Sequence, residues 1–151
     1  MLPRRNAQVS ECPFNVLGEF VANQLKSQPA AGGYDVRACT ANCFETNLGT
    51  NLGLTDDSLA LNQVLGFPFP LPGGGTTNDI DISSNGFAYL LTGSGGSSGC
   101  CDGDVPSFLN GVPRIATVWQ DLDPSSSPAG GGVFFGTAPG RATVTWSQVP
   151  E

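Results

Sequence analysis

Between Leu54 and Trp146 the chain is cut into short alternating stretches by glycine, proline and Asn-Gly, and none of it carries a helical period. That pattern restricts the fold to an all-β one. From Leu59 the apolar residues Leu59, Leu61, Leu65, Phe67, Phe69 and Leu71 fall on odd positions, interrupted by Gln63, so one face of a strand is buried. Pro68, Pro70 and Pro72 fall on the even positions and strip N–H donors from a single side, which predicts an edge strand or a polyproline run. Asp79 to Ser84 alternates outward Asp79, Asp81 and Ser83 with inward Ile80 and Ile82, and Asn85-Gly86 then supplies a tight hairpin into Phe87 to Thr92. Arg114 to Leu122 has apolar residues on both faces, as a central strand would, and Val133 to Phe135 with Ala142 to Val149 forms a hairpin around Pro139-Gly140.

The N-terminal third is patterned differently. Phe14, Leu17, Phe20, Val21 and Leu25 share one face of a short helix, the preferred reading, whereas Phe14, Val16, Phe20 and Ala22 also fit a strand. The duplicated tetrapeptide Thr46 to Gly53 (TNLG-TNLG) reads as a loop expansion, being too short for an architectural repeat. With 151 residues the chain suits one core. The expectation is an antiparallel β-sandwich, immunoglobulin-like or jelly-roll-like, over residues 54–151, behind a short helical or irregular extension over residues 1–53 that holds Cys12, Cys39 and Cys43.

The net charge of −7, with one lysine and five arginines, leaves too few cations to neutralise a phosphate backbone, so nucleic acid and anionic membranes are excluded as partners. No run approaches the roughly 18 apolar residues of a membrane span, and no apolar stretch follows Arg4-Arg5, so neither a span nor a leader is expected. The five cysteines (Cys12, Cys39, Cys43, Cys100, Cys101) come without any histidine, and a C-x3-C pair plus a vicinal pair fits zinc poorly. Disulfides in an oxidising compartment are the better reading, with the pairing open. A bridge from the N-terminal segment to Cys100-Cys101 is expected, because it would tether the floppy run Gly93 to Gly99 through a long closed loop worth about 3–5 kcal/mol.

Without histidine there is no Ser-His-Asp or Cys-His arrangement, and a Ser-Lys device would have only Lys26 to use, so the chain is not expected to be an enzyme. Asp121 with Asp123, and Asp79 with Asp81, lie two apart on a strand face, about 6.6 Å between neighbours, a spacing glycosidase acids tolerate. Solvated outward positions are the simpler reading. Calcium comes next, held by Asp121 and Asp123 with Asp102, Asp104, Asp56 and Asp57 close in the chain, although no stretch matches an EF-hand loop. No other cofactor is expected. Trp119 and Trp146 could pave a sugar-binding face but read more simply as core, as do Phe67, Phe69, Phe134 and Phe135.

Taken in order, TDDS (Thr55 to Ser58), GFPFPLPGGG (Gly66 to Gly75), SNGF (Ser84 to Phe87), PRIATVWQDLDP (Pro113 to Pro124) and GGVFF…ATVTW (Gly131 to Trp146) resemble the nidogen-like β-sandwich modules of bacterial secreted and surface proteins. The resemblance covers about 90 residues. It departs from the family pattern in residues 1–45, and in lacking a further hairpin after Glu151. It implies a non-catalytic extracellular or cell-surface module, structural or adhesive, whose partner is a protein (itself or another). Two alternatives stand beside it. One is a self-assembling filament subunit completed by strand exchange, and the other is a carbohydrate-binding module with a glycan partner.

Overall fold

The computed structural model describes residues 46–71, 74–91 and 96–151, and as backbone the strands β1 (Leu25–Ala30) and β2 (Gly33–Ala38). β1 and β2 pair antiparallel from Leu25↔Ala38 to Ala30↔Gly33. What is described of the N-terminal third is therefore a β-hairpin and not a helix. Pro29 cannot sit inside a helix, and Tyr34 and Val36 favour extended backbone. The helical face expected from Phe14 to Val21 lies outside the described residues.

The remainder is an antiparallel β-sandwich. One sheet has the order β4 (Leu59–Pro70), β5 (Thr76–Ser83), β6 (Phe87–Tyr89), β7 (Arg114–Ala116), and the other has the order β3 (Thr50–Asn51), β8 (Gly132–Ala138), β9 (Arg141–Ser147). The core is made of Leu65, Ile80, Ile82, Ala88, Leu90 and Val133, with Phe67, Phe69, Phe135, Val144 and Trp146 packed against it. Trp146 also reaches across to the other sheet, its indole N–H donating to the Ser83 carbonyl at 3.0 Å.

β4 is an edge strand, as its prolines require. Its alternation slips, however: the pairing with β5 shifts between Ala60 and Gln63 and again between Val64 and Phe69. Asn62 (φ 53°) and Gly66 (φ 78°) take left-handed backbone in those two places. Leu61 is consequently 56% exposed, not buried as its odd position predicts, while Leu65, Phe67 and Phe69 keep the inward phase. The β8–β9 hairpin closes from Ala138↔Arg141 over Pro139-Gly140, with Gly140 at φ 68°, where the sequence places it.

Three expectations are corrected. Asp81 and Ser83 are not outward in the solvated sense, being 4% and 0% exposed, because a second layer covers that face of the sheet. Arg114 to Leu122 is not a central strand. β7 ends at Ala116 on the sheet edge, where the N–H groups of Thr117 and Val118 both donate to the Gly86 carbonyl and Trp119 turns left-handed (φ 48°). The doubly buried strand is β6, with Ala88 in the core and Phe87 and Tyr89 under the second layer. Finally, the second TNLG copy supplies a strand: Thr50 and Asn51 pair with Phe135 and Phe134.

The structure also holds a short helix, α1 (Val105–Asn110). Asp104 caps it by accepting from the Ser107 N–H at 2.9 Å, and Pro106 sits in its first turn, where no donor is lost.

Candidate functional site

The second layer is built from three loops that one side chain gathers. Asn85, fully buried in the β5–β6 turn, donates to Asp57 Oδ1 at 2.8 Å and to the Gly99 carbonyl at 3.1 Å, and accepts from the Leu122 N–H at 2.8 Å. The Thr55–Ser58 loop, the glycine-rich segment from Gly96 and the strand end at Leu122 are thereby fixed to one point. Gly86 next to it (φ 80°) lies where a Cβ would stand 2.9 Å from the Trp119 nitrogen, so the turn needs glycine for conformation and for space.

The glycine-rich segment lies flat on an aromatic cluster. A Cβ on Gly96 would meet the Tyr89 ring at 2.4 Å, one on Gly99 the Phe87 ring at 2.7 Å, and one on Gly103 the Trp119 ring at 2.5 Å. Phe87 packs edge-on against Tyr89 at 5.1 Å and tilted against Trp119 at 5.2 Å. The Arg114 guanidinium stands 4.4 Å from the Trp119 ring centre, 4.7 Å from that of Tyr89 and 5.3 Å from that of Phe87. Its Nε–H donates to the Val112 carbonyl at 3.2 Å. Between this cluster and α1 opens a cleft of about 630 Å3, walled by Tyr89, Cys100, Asp102, Asp104, Asn110, Arg114 and Trp119.

The carboxylates divide into two groups. Asp56, Asp57 and Asp121 are exposed, and one carboxylate oxygen of each lies within 4.8 Å of the others. Loss of water contact, and then the neighbouring Asp57, Asp123 and Asp121 charges, hold the Asp56 carboxyl above the usual carboxylate range. Asp121 also accepts from the Cys101 N–H at 3.3 Å. Asp123, paired with Asp121 in the sequence reading, is engaged elsewhere: it caps the 3-10 turn Pro124–Ser126, accepting from the Ser125 N–H at 2.9 Å and from the Ser125 and Ser126 hydroxyls. Those bonds hold its carboxyl below the usual range, and the Ser107 bonds do the same for Asp104. Asp81 accepts from the Asn62 N–H at 2.7 Å inside the β4 bulge.

The sulfurs of the adjacent Cys100 and Cys101 lie at disulfide distance from each other, with Cys101 left-handed at φ 73°. The expected bridge from the N-terminal segment to this pair rests on Cys12, Cys39 and Cys43, which lie outside the described residues. Of the carboxylates that the sequence reading weighed for calcium, Asp56, Asp57 and Asp121 are brought together, whereas Asp123 turns to its own loop. Arg114 and the seat of the glycine-rich segment were missed, since nothing in the local pattern reveals which loops meet on a face.

Among the described residues no helix is long and apolar enough to cross a membrane. Comparison with curated proteins gives no match, and neither does comparison with solved structures. A family model described as NIDO related matches residues 33–150, more than three quarters of the chain, and so takes in β2 and every strand and loop of the sandwich. On that match, the chain belongs to the nidogen-related family.

Proposed function

We propose that the chain is a non-catalytic extracellular module, structural and adhesive, that works through its surface. The observation that carries this reading is where its carboxylates go. Asp57, Asp81, Asp104, Asp121 and Asp123 each accept a hydrogen bond that holds a loop, a bulge or a turn in place. Acid–base catalysis needs a carboxyl free to exchange a proton with substrate, and groups spent on main-chain and side-chain donors that hold the fold are poorly placed for it. Membership of a family of structural modules supports the extracellular assignment.

A second reading keeps a specific observation in its favour. β9 is the outer strand of its sheet among the described residues, and a seven-residue edge can be extended by a strand from a neighbouring chain. Light scattering and negative-stain microscopy of the purified full chain separate the two. Discrete single-chain particles are expected for the adhesive module, whereas fibres that lengthen with concentration would replace it with the strand-exchange filament.

A further inference from the structure

We propose that the cleft between the glycine-rich segment and α1 binds a short neutral oligosaccharide. Its size, about 630 Å3, lies within the range of small-ligand sites. Its chemistry narrows the class. Arg114 and Asn110 offer donors, while Asp102 and Asp104 offer acceptors. A simple anion entering the cleft meets two carboxylates, and a simple cation meets the guanidinium. A neutral polyhydroxylated ligand satisfies both sets, since each hydroxyl donates and accepts. The apolar C–H faces of a sugar ring find their counterpart in the exposed Pro106 and the half-buried Trp119 on the cleft wall.

Indole stacking, the usual way an exposed tryptophan takes a sugar, is not the mode here. The Trp119 ring has Gly103 against it and the Arg114 guanidinium over it. Polar contact with the ligand therefore falls to Arg114 and to the rim residues Asp102, Asp104 and Asn110. Backbone strain marks the same wall: Cys101 and Trp119 are two of the five non-glycine described residues with positive φ, and the Trp119 Nε1–H is buried without an acceptor among the described residues. Such costs are retained where the surrounding structure holds a site in shape.

The test uses the oxidised full chain on a printed array of neutral and acidic glycans, followed by titration calorimetry with the best neutral binder. Asp102→Ala and Asn110→Ala change exposed rim positions, and each is expected to weaken binding about tenfold by removing hydrogen bonds to the sugar; the melting temperature stays unchanged for Asp102→Ala, whereas Asn110→Ala also gives up its amide bond to the Pro106 carbonyl in α1. Arg114→Lys keeps the charge but loses the planar fork, and is expected to weaken binding at least as much. Three results overturn the proposal: no neutral glycan held above background, binding confined to acidic glycans, or rim variants that bind as the wild type does. The first would leave the adhesive reading standing with a protein as its partner, and the other two would leave it standing with a glycan of another class or one held elsewhere on the surface.

Discussion

Asn85 has no exposed surface, and both ends of its amide are used, so its removal is felt in three loops together. Asn85→Ala leaves the buried Leu122 N–H without its acceptor, and a loss of about 2–3 kcal/mol is expected in denaturant unfolding. Asn85→Asp keeps that acceptor but sets a second carboxylate against Asp57, and is expected to rescue little. Asp56 works in the opposite direction. Its carboxyl is raised in the folded chain, so the charged form opposes folding, and the penalty is present at neutral pH and disappears as pH falls through the folded value. Asp56→Asn is therefore expected to raise the melting temperature at pH 7 in chelator, with the advantage vanishing in acid. Calcium belongs to the same experiment: an ion held by Asp56, Asp57 and Asp121 would raise the wild-type melting temperature and not that of the variant. Asp104 and Asp123 have lowered values, so their stabilisation is complete above the unfolded carboxylate pKa of about 3.9 and is lost as pH falls below it. Asp123→Ala should accordingly flatten the acid limb of a stability–pH curve.

At the scale of elements, β4 and the segment from Gly96 to Gly103 offer the clearest tests. Pro68 is exposed on the edge strand, where it withholds a donor. Pro68→Thr restores that donor, and concentration-dependent association by sedimentation is expected to rise. Gly103→Ala places a methyl against the Trp119 ring, and overpacking of this kind costs about 1–3 kcal/mol, with a shift in tryptophan emission as the ring moves. Much of this level is legible in the sequence, because β4, the Asn-Gly turn and the β8–β9 hairpin depend on local periodicity and turn chemistry. What escaped depends on partners far away in the chain. β3 is a strand only because β8 lies beside it. β7 stops early because Trp119 turns left-handed, whereas alternation alone would carry it to Leu122. α1 is six residues without one buried, too short to leave a period, and only the Asp104 cap with Pro106 announces it. For the acidic cluster, Asp121 and the Asp56-Asp57 pair were within reach of the sequence, but the engagement of Asp123 in its own turn was not.

Across the whole molecule, the sandwich core faces inward from both sheets while the second layer, with Asn85, Arg114 and the glycine-rich segment, turns the other side of the four-stranded sheet into a contoured surface. A fold arranged this way places its distinctive chemistry outside, where partners of an adhesive module would meet it. The direct measurement is surface plasmon resonance with the oxidised full chain over immobilised extracellular-matrix proteins and glycans. Saturable binding to at least one of them, weakened by substitutions on the loops that Asn85 gathers and accompanied by no turnover of the bound partner, is the expected result; absence of binding across the panel, or hydrolysis of any member of it, would contradict the surface-acting, non-catalytic reading.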